Sequence, residues 1–101
     1  EGDNYRNFLP VEKVCEAIKY VMENGENGEI YNIGASQSYK MGDLFKYCIE
    51  KLKSKSIIKV VQTPKFHAQV QVKDYWMDTN RLRDLGFDNK IDIYKELDKI
   101  L

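Results

Sequence analysis

One hundred and one residues and 11.9 kDa suffice for one compact domain and are too few for two. Sixteen Lys plus Arg balance sixteen Asp plus Glu, so no net charge draws the chain toward nucleic acid or an anionic membrane. A composition 43% apolar and 32% charged excludes disorder, collagen-like repeats and low-complexity architecture, and no apolar stretch approaches the roughly 20 residues that span a bilayer. No secretory signal pattern opens the chain.

Residues 1–10 (EGDNYRNFLP) read as a polar loop leading into a short extended segment with Tyr5, Phe8 and Leu9. Pro10 suits the first turn of a helix. Val11, Val14, Cys15, Ile18, Val21 and Met22 then recur at spacings of three and four, one face of a helix. Gly25 and Gly28 end it, as residues that take a left-handed cap without strain. Residues 29–33 (EIYNI) form a β-type run closed by Gly34. After a loop, Met41, Leu44, Phe45, Cys48, Ile49 and Leu52 predict a second amphipathic helix over about 41–53, with Lys51, Lys53 and Lys55 at the end its dipole favours. Ile57, Ile58, Val60 and Val61 read as a second strand, interrupted by Pro64, and an extended pattern resumes with Val70 and Val72. Asp78 suits the N-cap of a short helix that Gly86 terminates, and Asn89 or Asp92 caps a last helix carrying Ile93, Tyr94, Leu97, Ile100 and Leu101. The expected architecture is a small mixed α/β (α+β) lobe of about four helices and three to four short strands. Cys15 and Cys48 both fall at apolar helix positions and read as reduced core thiols of a cytoplasmic protein. So many apolar helix stripes beside so few strands are hard to cover at this size, which hints at a missing neighbour. A chain beginning at Glu1 without an initiator Met is consistent with a piece of something longer.

The motifs for chemistry are mostly negative. The glycine spacings do not make G-x-G-x-x-G, and no Walker loop, HExxH, CxxC or nucleophile elbow occurs. His67 is the single histidine, so neither a Ser–His–Asp arrangement nor a multi-histidine metal site is available, and beside Phe66 it reads as a surface or packing residue. Tyr47 and Lys51 match Y-x-x-x-K, the proton-transfer couple of short-chain dehydrogenases. Two fixed letters recur by chance in a chain rich in Tyr and Lys, and no dinucleotide-binding unit precedes this helix, so Tyr47 reads as a solvated or half-buried tyrosine. Arg6 lies just before the start of the first helix, where exposed N–H groups and a guanidinium fork together suit a phosphate or diphosphate. The plainer alternative is a surface salt bridge from Arg6 to Glu12 or Asp3.

Three blocks in register go further. Residues 6–14 (RNFLPVEKV) resemble the R-D-F-x-x-V-x-D-V stretch of extended short-chain dehydrogenase/reductases. Residues 28–34 (GEIYNIG) are similar to their G-E-x-Y-N-I-G strand, and residues 75–87 (YWMDTNRLRDLGF) resemble their D-x-S-K-x-x-x-L-G-W block, with a helix following. The resemblance spans essentially the whole chain and is to the C-terminal, substrate-binding part of NAD-dependent nucleotide-sugar epimerases and dehydratases.

That resemblance implies a single domain over 1–101 that holds the nucleoside diphosphate sugar and lacks its N-terminal Rossmann partner domain, inactive alone. The parent would bind NAD or NADP through that missing domain, with no cofactor, catalytic residue or metal site in this chain. It implies that Arg6 grips the diphosphate, that Val11 lines the nucleotide pocket and that Tyr75 shapes the sugar pocket, while Asn32 and Gly34 fix a strand-to-loop turn. Where relatives carry a second phosphate-binding Arg, residues 63–69 read TPKFHAQ, and Lys65 stands as a point charge in its place. Asn7 replaces the family's Asp. The implied parent is a cytoplasmic homodimer with neither nucleic-acid nor membrane partners. The other class of function open at this point is a non-catalytic binding or interaction module derived from the same lobe.

Overall fold

The computed structural model describes residues 2–101; Glu1, the first residue of the expected opening loop, lies outside them. Seven elements follow in order: β1 (Tyr5–Arg6), α1 (Val11–Asn24), β2 (Tyr39–Lys40), α2 (Met41–Lys51), α3 (Lys65–Val70), α4 (Asn80–Asp84) and α5 (Ile93–Asp98). β1 and β2 pair antiparallel, Tyr5 opposite Lys40 and Arg6 opposite Tyr39. The small mixed lobe is as expected, but with five helices and one two-stranded ribbon among the described residues.

α1 begins after Pro10, whose φ of −57° is set for helix entry, and Ala17 on its inner face is completely buried. Tyr20 holds this helix to the α4 region: its ring lies 5.6 Å from that of Phe87, and its hydroxyl donates to the Leu85 carbonyl at 3.1 Å. The helix does not end on a left-handed glycine. Gly25 has φ −67° and is needed for space, because a Cβ there would approach the Val21 carbonyl oxygen to 2.5 Å; Gly28, three residues on, takes the positive φ.

α2 packs against α5 through the buried Leu44 and Ile93. Asp92 is the cap of α5, accepting from the N–H groups of Tyr94 and Lys95 at 3.1 and 3.4 Å. Asn89, the other candidate cap, instead sits fully buried and donates through Nδ2 to the Gly34 carbonyl (3.0 Å) and to the Thr79 hydroxyl (2.8 Å). It ties the glycine-closed turn to the start of α4. Thr79 holds the N-cap position of α4, and the Asp78 carboxylate accepts from Asn80 N–H beside it at 2.9 Å.

Four further expectations need correction. Residues 29–33 and 57–61 have the composition of strands but are not strands here, since no neighbouring backbone is described to complete their ladders. Residues 65–70, which follow the Pro64 interruption and lead into the extended pattern of Val70 and Val72, form α3. Pro64, at φ −54°, starts that helix, and the Ala68 N–H donates to the Pro64 carbonyl at 2.9 Å. Cys15 is exposed and Cys48 half-buried rather than core, both as free thiols, because the outer flanks of α1 and α2 carry no covering layer.

That missing cover is the main feature of the shape. The lobe measures 49 × 34 × 16 Å with a radius of gyration of 16.6 Å, against roughly 13 Å for a compact chain of this length. Its surface is 7876 Å², about 2,000 Å² more than a compact monomer of this mass exposes. Val11 (68% exposed) and Met22 (82%) on α1 illustrate where the excess lies.

Candidate functional site

The corner around β1 gathers three of the four residues singled out for substrate binding, or the segments that carry them. A strap of chain, residues 63–76, crosses this corner and includes α3, Tyr75 and Trp76. None of its residues is buried, and its described attachments run to the chain around β1 and to Ser38.

Arg6 is the principal attachment. Its Nη1 donates to the carbonyls of Tyr5 (2.7 Å) and Lys73 (2.8 Å), and its Nη2 donates to the carbonyl of Val72 (2.6 Å). The guanidinium therefore engages neither Glu12 nor Asp3. Asp3 pairs with Lys73 at 3.9 Å, a long and exposed contact of little energetic weight. Around the arginine the two chains are stitched further. Tyr75 N–H donates to the Tyr5 carbonyl at 2.9 Å, and Tyr5 N–H donates to the Asp74 carboxylate at 3.2 Å. The Tyr5 ring stacks on Trp76 with centroids 5.0 Å apart and an interplanar angle of 27°. Ser38, buried, donates its hydroxyl proton to the Tyr75 carbonyl at 2.6 Å. The Tyr75 backbone is thus held through both its N–H and its carbonyl, while the residue stays 45% exposed.

Val11 lies elsewhere, at the start of α1. It lines an apolar groove of about 500 Å³ with Phe8, Leu9, Phe45, Cys48 and Leu97. Lys65, the first residue of α3, is exposed and borders a shallow hollow with Gln62, Thr63 and Ala68. A larger cleft of about 630 Å³ between α1 and the α5 entry mixes Lys13, Lys90 and Lys95 with Glu12, Glu16 and Asp92, so its charges largely cancel. Among the described residues no group of three or more His, Cys, Asp or Glu could hold a metal ion, and no helix is long and apolar enough to cross a membrane.

The Tyr47–Lys51 pair has a mechanical use. Tyr47 donates its proton to Asp98 at 2.5 Å, Lys51 pairs with the same carboxylate at 3.6 Å, and the Tyr47 and Tyr94 rings lie 4.7 Å apart. These contacts join α2 to α5. The hydrogen bond to the anionic Asp98, with partial desolvation and the Asp98 charge added, pushes the Tyr47 phenol up to about 12. A proton-transfer tyrosine needs the opposite shift.

Sequence reasoning missed Asn7 and Asn89. Asn7 accepts from Ala35 N–H at 2.9 Å and donates to the Ala35 and Gln37 carbonyls at 2.9 and 3.4 Å. An aspartate could make only the first of these bonds, which gives the departure at this position a physical sense. The replacement itself was the signal. Asn89 offered none, because nothing in its neighbours marks it as interior.

No family model matches the chain. Over 92 residues it is 30% identical to the trifunctional UDP-glucose 4,6-dehydratase/UDP-4-keto-6-deoxy-D-glucose 3,5-epimerase/UDP-4-keto-L-rhamnose-reductase RHM1 of Arabidopsis thaliana, covering 89% of this chain and 13% of that protein. The Arabidopsis RHM2 of the same description is 32% identical over 93 residues, with the same two coverages. The chain thus spans about 13% of the length of the curated relatives it matches. In fold it is similar to RMD from Pseudomonas aeruginosa, solved in complex with NADPH, at a TM-score of 0.76 and 24% identity over 97% of this chain and 31% of that one. Sequence and fold together bear out the resemblance carried by the three blocks.

Proposed function

We propose, for a chain that belongs with the C-terminal lobes of extended short-chain dehydrogenase/reductases, that it is the substrate lobe of an enzyme processing a nucleoside diphosphate sugar. The observation that carries this reading is the 30–32% likeness, along nearly the whole chain, to enzymes named for successive dehydratase, epimerase and reductase steps on UDP sugars. In this reading Arg6 holds the diphosphate from the β1 corner, Tyr75 borders the sugar, Val11 lines the nucleotide end and Lys65 adds a point charge toward the phosphates. Binding energy collected at the diphosphate, remote from the reacting carbon, goes into orienting the sugar ring.

The nicotinamide cofactor that the family implies does not fit this chain. Among the described residues no glycine-rich turn follows a strand into a helix, so they form no dinucleotide cradle. A Rossmann domain seated on the bare apolar flanks of α1 and α2 would supply that cradle. The surplus of about 2,000 Å² over a compact monomer is large enough for such a seat. The reading carries with it a homodimeric, cytoplasmic parent enzyme.

The test is calorimetry of UDP with the full-length protein, followed by turnover of a UDP sugar. Arg6→Gln should weaken UDP binding about ten- to a hundred-fold, the loss expected for charge-assisted bonds. An unchanged dissociation constant removes Arg6 from the site. UDP binding without turnover would mark a non-catalytic module.

A further inference from the structure

Three of the five guanidinium N–H groups of Arg6 have acceptors among the described residues, and all three acceptors are backbone carbonyls. Two of them, Val72 and Lys73, are successive residues of the strap, one bonded to Nη2 and the other to Nη1. Neighbouring carbonyls reach neighbouring nitrogens along the end-on edge of the fork. Since Tyr5 takes the other Nη1 proton, the two N–H groups left over belong to Nε and Nη2. Those two share the side-on edge, the geometry that meets two oxygens of one oxyanion.

The geometry points to Arg6 as a buttressed fork: the strap's carbonyls fix the guanidinium plane, so that binding of a nucleoside diphosphate on the open edge and order in residues 72–76 reinforce each other. This rests on the reading of Arg6 as the diphosphate ligand and adds a coupling that the reading does not contain. A flexible arginine gives up side-chain freedom when it binds; here the carbonyls of residues 5, 72 and 73 have already removed it. In return, a bound anion holds the fork in place and with it the strap, which has no buried side chain of its own to keep it ordered. The ligand would therefore organise the segment that carries Tyr75 and Trp76. By linkage the coupling is reciprocal: the factor by which the ordered strap tightens anion binding equals the factor by which the bound anion favours the ordered strap.

Asp74 separates this coupling from simple electrostatics. Its carboxylate accepts from Tyr5 N–H at 3.2 Å and helps to hold the strap. Asp74→Ala removes a negative charge near the fork, so charge alone predicts tighter UDP binding. The coupling predicts the reverse, about two- to ten-fold weaker binding with Arg6 intact. The experiment pairs calorimetry of UDP on the full-length wild type, Asp74→Ala and Arg6→Gln proteins with hydrogen exchange across residues 71–76. Supporting results are weaker binding in Asp74→Ala, slower exchange of the Tyr75 amide in wild type when UDP binds, and about ten-fold faster exchange there in Arg6→Gln. If Arg6→Gln weakens UDP but Asp74→Ala binds as well as wild type or better, or exchange is unmoved by UDP, the coupling is refuted and the diphosphate reading stands. If Arg6→Gln leaves UDP binding unchanged, both fall.

Discussion

Replacing Asn7 by the aspartate found in the family pattern should destabilise this lobe, although the two side chains are isosteric. Asn7 faces the buried residue Ala35 with both ends of its amide: Oδ1 accepts from Ala35 N–H at 2.9 Å, and Nδ2 donates back to the Ala35 carbonyl at 2.9 Å and to Gln37 at 3.4 Å. In Asn7→Asp the accepted bond survives, while a carboxylate oxygen takes the place of Nδ2 and faces two carbonyl oxygens. The lost bond is worth about 1 kcal/mol, and leaving the buried carbonyl without a donor costs about 1–3 kcal/mol more. A total of about 2–4 kcal/mol lowers the melting temperature of a domain this size by at least 8 °C or so at pH 7. The deficit should shrink on acidification. Two carbonyls opposing one N–H favour the protonated acid, so its folded pKa is raised above the unfolded value, and the protonated carboxyl can donate to Ala35. Stability tied to a raised pKa is present at low pH and lost as pH rises through it. Thermal melts of both proteins at pH 7 and pH 4 decide the matter. Equal melting temperatures at pH 7 would refute the two-ended role of Asn7.

Two further predictions follow from packing and titration. The Tyr47 phenol should ionise near pH 12, so its bond to Asp98 contributes fully below pH 10 and is lost between about 10 and 12. Alkaline absorbance titration of wild type and Tyr47→Phe checks this; the variant loses that step, and a wild type with no step above the ordinary tyrosine range contradicts it. Gly34→Ala should cost about 1–3 kcal/mol, because the new methyl would run into the Met77 sulfur and lie 3.0 Å from Asn7 Oδ1 in a buried position. Denaturant melts read this directly, and an unchanged midpoint would mean that Met77 moves aside freely.

Helices were legible wherever an apolar stripe met a clear start or stop. Pro10 and the 3.6-residue period located α1, and the same period located α2 and α5. Strand composition misled at 57–61, because β-branched residues state a preference and the ladder needs a neighbour. Pro64 was read as an interruption when its locked φ also opens a helix, and the stretch after it was too short for a period to show. The three sequence blocks located the Arg6 and Tyr75 segments, which the fold does bring together through Tyr75 N–H and the Tyr5 carbonyl. What the arginine grips could not be read, since its partners are main-chain carbonyls of residues 72 and 73 and carry no sequence signature. The same limit hid Asn89, whose partners are a glycine carbonyl and a threonine hydroxyl.

A slab only 16 Å through has two faces and almost no depth. Tolerance to mutation should therefore sort by side rather than by distance from a centre. Changes at Leu82 or Ala17, which are wholly enclosed, would register in any melting experiment. Changes at Met22 or Ile57, bare in the lobe alone, would pass silently there and register only in the grip on whatever body lies against them. Two libraries of the same substitutions, one scored for folding and one for assembly, would then trace the outline of that contact without its ever being seen.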